Sequence, residues 1–257
     1  ECKRQGFELL IHPADSVDGA YMEELRSLIS NGHIAGLILT PPFSESKELI
    51  ETLDDRDIRH VRILSGDMES DSPGPCVLID DYRAAYEITR YLVGLGHRDI
   101  AFLAGSHEHD TSSENRQRGY HAALTDADIK PQASLIVPGE YTFNSGSERT
   151  STLLGQQQPP TAIFACNDEI ASGALFAARI KQVAVPQQLS IVGFEDSPFS
   201  RQSWPKLTTA HQPNSEIAAN AARILIESIR SSRQGNTDKD PARMGFQPEI
   251  VVRDSTC

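Results

Sequence analysis

Polar and charged side chains follow a series of apolar runs of strand length. These runs are continuous rather than alternating, which is typical of strands buried on both faces of a parallel sheet. The side chains concerned are Thr40, Asp80, Asp81, Arg116, Tyr141, Asn167 and Glu195. Ligands of open parallel sheets bind outside the carboxyl ends of the strands. An arginine, an amide, carboxylates and an aromatic ring there predict a polyol-binding cleft, because they bind paired hydroxyls and cover a sugar ring.

Each of these residues also has an ordinary structural interpretation. Asn167 comes where a helix is predicted to begin, so its side chain is suited to cap that helix. Arg116 lies near the start of a predicted helix, Ser113–Thr125, where the helix dipole favours anions and a solvated arginine is common. Tyr141 fits partly buried packing, and Glu195 fits a solvated acid. Both interpretations stay open on position alone.

Signals for catalysis are weak. The sequence has no P-loop and no Gly-x-Ser-x-Gly, and Gly94-x-Gly96 follows a helix rather than a strand, which argues against a dinucleotide fingerprint. We therefore expect no enzyme activity, no cofactor and no metal. One alternative is a metal-dependent hydrolase using His107, His109 and Asp110, since alternate histidines on a strand can share a zinc ion.

The composition is that of an ordinary globular protein. The 257 residues are 39% hydrophobic and 23% charged, which excludes intrinsic disorder, a collagen-like chain and a disulfide scaffold. The net charge of −12 argues against nucleic-acid or anionic-membrane binding by this stretch alone, because neutralising phosphates requires a basic face. The longest apolar stretches, such as Ile34–Leu39, are too short to span a membrane.

The four cysteines have no spacing that indicates a metal site or a disulfide framework. They are Cys2, Cys76, Cys166 and Cys257. Such isolated thiols predict reduced cysteines in a cytoplasmic protein.

Strand and helix patterns alternate over most of the chain. The predicted strands are Phe7–His12, Ala35–Thr40, His60–Leu64, Cys76–Ile79, Asp99–Ala104, Ser134–Val137, Thr161–Ala165 and Ser190–Phe194. Between them lie amphipathic segments such as Asp81–Leu95, whose apolar residues recur at helical spacing. This alternation predicts βαβ units and parallel sheets covered by helices.

The last third of the sequence departs from this alternation. Polar connectors, Ser197–Pro205 and Ser231–Gln247, flank one long predicted helix, Asn214–Arg230, and a terminal strand follows at Glu249–Val252. A barrel would keep its repeat to the end. The pattern therefore favours two α/β lobes that exchange elements late in the chain.

An ordered set of segments resembles the effector-binding region of the lactose-repressor/galactose-repressor family of bacterial transcription regulators. They include Leu-Gly-His-Arg-Asp-Ile-Ala, Arg-Gln-Arg-Gly-Tyr, Ala-Cys-Asn-Asp and Ser-Ile-Val-Gly-Phe-Glu-Asp. The segments are Gly6–Leu10, Ile34–Thr40, Ile79–Tyr82, Leu95–Gly105, Arg116–Tyr120, Pro160–Asp168, Leu189–Asp196, Leu207–Pro213 and Pro248–Ser255. They occur in family order and cover nearly the whole chain.

The resemblance implies an α/β fold of two doubly wound parallel-sheet lobes, periplasmic-binding-protein-like, joined by three crossovers. By similarity, an N-terminal lobe comprises residues 1–104 and 212–235, and a C-terminal lobe comprises residues 105–211 and 236–257. A small effector is expected between the lobes.

The resemblance also implies roles for the site residues. Arg116 is expected to donate two hydrogen bonds to adjacent hydroxyls or to a carboxylate, and Tyr141 is expected to stack on the ligand. Asn167, Glu195 and Asp81 are expected to bind it as well, and Asp80 and Thr40 complete the predicted ligand-binding set.

Two departures from the family pattern stand out. Glu195 stands where the family usually has an aspartate after Gly-aromatic, so its carboxylate reaches further from the backbone. The identity of a relative's effector therefore cannot be carried over to this sequence. The family also has a strand and helix before the segment that matches Gly6–Leu10, and a DNA-reading helix-turn-helix before those. We expect this sequence to lack both, which predicts that one strand position in the first lobe is unfilled or is filled by something else.

The resemblance implies a transcriptional regulator, a repressor by family analogy, that acts as a homodimer and senses a sugar or related small polar metabolite. Operator DNA would be bound only through the helix-turn-helix, and no membrane partner is expected. The main alternative is an exported solute-binding protein that feeds a sugar transporter, for which a monomer is expected.

Overall fold

The computed structural model describes residues 1–12, 25, 27–28, 34–69, 73–105, 111–234 and 242–257. The strands are β1 Leu37–Leu39, β2 His60–Ser65, β3 Cys76–Ile79, β4 Ile100–Leu103, β5 Ile136–Val137, β6 Ala162–Ala165, β7 Ser190–Glu195, β8 Thr208–His211, β9 Arg243–Phe246 and β10 Glu249–Val251. The helices are α1 Lys47–Asp55, α2 Asp81–Gly94, α3 Thr111–Asp126, α4 Phe143–Leu153, α5 Asp168–Ile180, α6 Pro198–Gln202 and α7 Asn214–Arg233.

The chain divides into two compact units. Unit 1 comprises Glu1–Ile79 and Asn214–Phe246, and unit 2 comprises Asp80–Pro213 and Gln247–Cys257. The chain therefore passes between the units three times. Each unit is an α/β arrangement around a parallel or mainly parallel sheet, which confirms the predicted fold class.

Unit 1 contains a four-stranded parallel sheet in the order β1-β2-β3-β9. Val61 and Val77 of this sheet pack in one cluster with Leu225 of α7. Leu39 of β1 lies in a separate cluster with Leu49 of α1. Because helices cover apolar residues of the sheet, the strands read as continuous apolar runs in the sequence.

Unit 2 contains a six-stranded sheet in the order β10-β8-β7-β6-β4-β5. Only β10 is antiparallel to its neighbour among these strands. The strand that follows β4 in the chain, β5, lies on one side of it, and the next, β6, lies on the other. This reversal is a topological switch point, where the loops after neighbouring strands leave toward opposite faces of the sheet.

Helices pack in pairs on the sheet of unit 2, α2 with α3 and α4 with α5. Gly119 allows the close approach of α3 to α2, since a Cβ atom there would lie 2.2 Å from the carbonyl oxygen of Tyr82. The approach places Arg116, one turn earlier on α3, close to the start of α2. The site described below depends on this placement.

The unit boundaries differ from those expected at residues 104, 211 and 235. The first crossing comes after Ile79, because α2 buries Ala85, Ile88 and Leu92 in the core of unit 2. The last comes after Phe246, because β9 pairs with β3 in unit 1. The segment that holds β9 was expected to be a polar connector, and its pairing was not predicted.

One predicted strand is wrong, and one further observed strand was not predicted. Phe7–His12 is not a strand, and no described strand pairs with it, so Leu9, Leu10 and Ile11 are exposed. An apolar run forms a strand only where a neighbour supplies hydrogen bonds. Conversely, β8 was not predicted, because its buried threonines resemble a polar connector in the sequence. The predicted unfilled strand position in the first lobe stays a prediction.

Candidate functional site

Most of the predicted site residues lie in unit 2, near the carboxyl ends of β4, β6 and β7. Gly105 follows β4, Asn167 follows β6, and Glu195 is the last residue of β7. The switch point lies between β4 and β6, where open parallel sheets form a crevice. The topology therefore brings together loops that are far apart in the sequence.

Arg116 is buried and forms an ion pair with Asp81, the first residue of α2. Its Nε donates to Asp81 Oδ1 at 2.8 Å, and its Nη1 donates to the carbonyl oxygen of Cys166 at 2.5 Å. The guanidinium covers the ring of Phe194, with Cζ 3.7 Å from the ring centroid. Burial acts to lower the pKa of Arg116, but Asp81 and other nearby groups outweigh it and raise that pKa above its usual value. Two predicted ligand-binding residues therefore bind each other.

Tyr141 lies against the backbone at the end of β4. A Cβ atom at position 105 would stand 2.0 Å from Cζ of the tyrosine ring, so this contact requires Gly105. The Tyr141 hydroxyl is 3.8 Å from Sγ of Cys166. The ring is partly buried against the core of unit 2, as the packing interpretation expects, and the rest of it stays accessible.

Asn167 caps helix α5. Its Oδ1 accepts a hydrogen bond from the backbone N–H of Ile170 at 2.8 Å, which confirms the capping interpretation. Its Nδ2 donates to the carbonyl oxygen of Tyr141 at 3.4 Å. Asn167 thus fixes the start of α5 and contacts the loop that carries Tyr141, while its role in ligand binding stays a prediction.

Glu195 is mostly buried, and its backbone is in an unusual conformation. Its φ of 103° lies in the left-handed region, which non-glycine residues rarely occupy. In the described part of the chain, its carboxylate has no hydrogen-bond or ion-pair partner within the usual limits. Burial raises the pKa of Glu195 to about 7, the nearby Arg116 acts to lower it, and Asp168 and Asp81 raise it further.

Asp168 belongs to this edge as well, although the prediction selected only its neighbour. It is fully buried, and it accepts hydrogen bonds from Thr209 Oγ1 at 2.6 Å and from the Ser197 backbone N–H at 2.7 Å. Burial raises the pKa of Asp168 to about 6, while these two donors act to lower it. Asp168 therefore joins α5 to β8 and to the loop after β7.

Asp196 follows Glu195 but faces a different set of groups. Its side chain accepts from Ser200 Oγ at 2.8 Å and from Arg253 Nη2 at 2.6 Å, and it contacts His211 Nδ1 at 3.0 Å. Burial acts to raise the pKa of Asp196, but these hydrogen bonds outweigh it and lower that pKa below its usual value. This residue joins β7, α6 and β8 to the end of the chain.

Arg149 was not predicted as part of this region. It is buried and donates to four backbone carbonyls, those of Ala104, Val137, Glu140 and Ser145, at 2.6 to 3.1 Å. Burial lowers its pKa. Arg149 thereby holds the turn that carries Tyr141 against the ends of β4 and β5. The sequence carries no signal for this, because the acceptors are main-chain atoms.

Asp80 and Thr40 complete the predicted set. Asp80 is partly buried and caps α2, with its Oδ1 accepting from the backbone N–H of Arg83 at 2.8 Å. Thr40 follows β1 in unit 1, where its side chain is exposed and its carbonyl accepts from the Ser44 N–H at 3.0 Å. Thr40 is thus in the other unit, and its part in ligand binding stays a prediction.

The metal alternative concerns residues 107–110, which lie outside the described residues. Within the described ranges, no group of three or more His, Cys, Asp or Glu side chains is arranged to hold a metal ion. The four cysteines are free, with Cys76 and Cys166 buried. None of the described helices is long and apolar enough to span a membrane.

Comparison with known proteins places this arrangement among regulators. Residues 89–256 match the periplasmic binding protein-like domain family. The HTH-type transcriptional regulator DegA of Bacillus subtilis is 33% identical over 252 residues, which are 98% of this chain and 72% of DegA.

Two solved structures extend the similarity. The transcriptional regulator CelR in complex with cellobiose superposes with a TM-score of 0.86 at 25% identity, over 98% of this chain and 75% of that one. A LacI-family regulatory protein of Chloroflexus aggregans superposes with a TM-score of 0.79 at 29% identity, over 95% of this chain and 84% of that one. These similarities to regulators do not favour an exported solute-binding protein.

Proposed function

The chain belongs to the LacI (lactose-repressor/galactose-repressor) family of transcriptional regulators and corresponds to its effector-binding region, and we propose that it senses a sugar or related small polar metabolite to control a repressor. The observation that carries the proposal is the group of Arg116, Asp81, Tyr141, Asn167 and Glu195 at the switch point of unit 2. CelR, which resembles 98% of this chain, forms a complex with cellobiose.

The side chains of this group suit a hydroxylated ligand. Nη2 of Arg116 has no acceptor in the described part of the chain, and the Glu195 carboxylate has no donor there. One free donor and one free acceptor are what a pair of neighbouring hydroxyls requires. The accessible part of Tyr141 supplies apolar surface for a ring.

The proposed mechanism is a population shift rather than catalysis. An effector that binds one lobe arrangement better than another increases the population of that arrangement and thereby changes operator affinity. Operator DNA would be contacted through a helix-turn-helix, the element that the name of DegA records for that protein. We propose a cytoplasmic, non-enzymatic protein, and we expect the acidic chain alone not to bind operator DNA.

A second copy of the chain is the proposed protein partner. Unit 2 carries an aromatic surface formed by Phe143, Phe176, Phe199 and Trp204, which lines a groove of about 270 Å³ beside Arg179. Phe176, Phe199 and Trp204 are 48%, 45% and 82% exposed. Clustered exposed aromatics of this kind are typical of interfaces rather than of scattered surface residues. Sedimentation of the chain is expected to give a dimer, and a monomer would contradict this part of the proposal.

A thermal-shift screen against sugars, nucleosides and their derivatives tests effector binding. A ligand at one hundred times its Kd stabilises the fold by about 2.7 kcal/mol, which raises Tm by about 5–10 °C at this chain length. Arg116→Lys retains the charge opposite Asp81 but loses the planar fork, so the shift should largely disappear. Arg118→Lys, an exposed position on the same helix, is the matched control. A shift that persists in Arg116→Lys would contradict the assigned role of Arg116.

A further inference from the structure

The charge of Arg116 is largely used within the chain. Asp81 is 1% exposed and pairs with Nε, and the Cys166 carbonyl accepts from Nη1. The ring of Phe194 covers the guanidinium plane. A planar fork that binds a carboxylate or phosphate needs two adjacent N–H groups and a net positive charge. Asp81 neutralises the charge of Arg116 and occupies its Nε edge, so Nη2 offers a ligand a hydrogen-bond donor without a net positive charge.

The other buried cation of this region is equally engaged. Four of the five N–H groups of the Arg149 guanidinium donate to backbone carbonyl oxygens, so only one N–H, on Nη2, stays uncommitted. At the carboxyl ends of β4, β5 and β6, the described part of unit 2 therefore has one arginine neutralised by Asp81 and one whose guanidinium is mostly taken up by backbone carbonyls.

Glu195 is the charged group at this edge whose side chain has no hydrogen-bond partner among the described residues. The charged groups that act on it are Arg116 from α3, Asp81 from α2, and Asp168 and Glu169 from α5. These groups are one cation, which is already paired with Asp81, and three carboxylates. Asp168 is fully buried and both of its oxygens accept hydrogen bonds within the chain, so it contributes charge but is not accessible to a ligand. A ligand that reaches this edge meets Glu195 in a partly buried, negatively charged setting, where like charges repel strongly.

We propose that the effector site takes an uncharged or amine-bearing polyol and rejects phosphorylated and carboxylated ones, with Glu195 as the residue that makes this distinction. A hydroxyl donates to the free carboxylate, and an ammonium group does so with a favourable charge. A phosphate or carboxylate placed at the same point supplies no donor and adds a further negative charge. The inference rests on the proposed function, since it assumes that this edge binds a small effector.

Equilibrium dialysis at pH 8 tests the inference, because Glu195, with a pKa of about 7, is mostly ionised there. The 257-residue chain is dialysed against a defined mixture of monosaccharides, disaccharides and nucleosides, each with its amino, phosphate and carboxylate derivatives. A polar extract of bacterial cells forms a second arm. Mass spectrometry identifies the compounds that the protein retains. Glu195→Gln is the test variant, and Glu249→Gln, an exposed residue of β10, is the matched control.

The expected result is that the retained compounds are uncharged or carry an amine, and that the phosphate derivative of each binds at least about tenfold more weakly. In Glu195→Gln this discrimination should fall to about threefold or less, with Glu249→Gln unchanged. Preferential retention of phosphorylated or carboxylated compounds would overturn the inference while leaving effector binding intact. Discrimination that survives in Glu195→Gln would overturn the role of Glu195. Retention of no compound in either arm would contradict the proposed function itself.

Discussion

Glu195 and Asp196 are adjacent acids at the end of β7, and their surroundings are opposite. Both have positive φ values, 103° and 55°, so the backbone at this point turns in a way that sends consecutive side chains into different regions. Asp196 reaches a cluster of donors, in which Arg253, Ser200 and His211 contact its carboxylate. Glu195 reaches the switch-point edge, where no described group donates to it.

The difference shows how neighbouring groups decide what a carboxylate does. Donors and cations lower the pKa of Asp196, so it is ionised and joins several elements of unit 2. Burial without a donor raises the pKa of Glu195 to about 7, so the ionised form of Glu195 is disfavoured in the folded protein. The first arrangement stabilises the fold, whereas the second reduces stability and leaves a carboxylate available to a ligand.

The largest expected effect comes from removing Asp196. Asp196→Ala leaves Arg253 without its acid and removes the acceptor of Ser200 and His211, so the free energy of unfolding should fall by about 3–4 kcal/mol. Urea denaturation at pH 7 measures it, with Asp254→Ala, an exposed neighbour, as control. A loss no larger than that of the control would mean that this cluster does not stabilise unit 2.

Glu195→Gln should have the opposite sign. A buried acid whose folded-state pKa lies above its unfolded value keeps its proton longer when folded, so wild-type stability falls as pH rises from about 4.5 to about 7. Glutamine has no such loss. The variant should therefore match the wild type at pH 4 and exceed it by about 2–3 kcal/mol at pH 8. Denaturation curves at both pH values test this, and an advantage equal at both would contradict it.

Asp168 lies between these two extremes, and Thr209 sharpens the comparison. Thr209→Val removes one of its two donors and should cost about 1–2 kcal/mol at pH 8. Because the pKa of Asp168 is already raised to about 6, the cost should shrink at pH 5, where the carboxyl is largely protonated. Thr209→Ser keeps the hydroxyl and should lose less. Equal losses in the two variants would show that the methyl group of Thr209 contributes as much as the hydrogen bond to Asp168, which would contradict the prediction.

Much of the fold is predictable from local pattern. Continuous apolar runs at β2, β3, β4, β6 and β7 indicate strands because both faces of each sheet are buried. The failures arise where pairing decides the outcome. Phe7–His12 has a strand-like sequence but no described partner, whereas the threonines of β8 become strand residues because Asp168 and Arg253 satisfy their hydroxyls.

The site was predictable as a set of residues but not as a set of contacts. Arg116 and Asp81 are 35 positions apart, and either could have faced a ligand; only the approach of α3 to α2 makes them partners. The part played by Arg149 was beyond the reach of sequence, since its acceptors are carbonyl oxygens of separate segments. The left-handed backbone of Glu195 carries no sequence signal either, because glycine is the residue that normally marks such a position.

The aromatic surface of unit 2 has a spectroscopic consequence. Trp204 is the single tryptophan of the chain, and it is 82% exposed. The indole emission of the protein therefore comes from one place, and that place is the proposed contact with a second copy. Covering the indole would shift its emission to shorter wavelength, so the intrinsic fluorescence of the unlabelled chain reports directly on self-association as concentration changes.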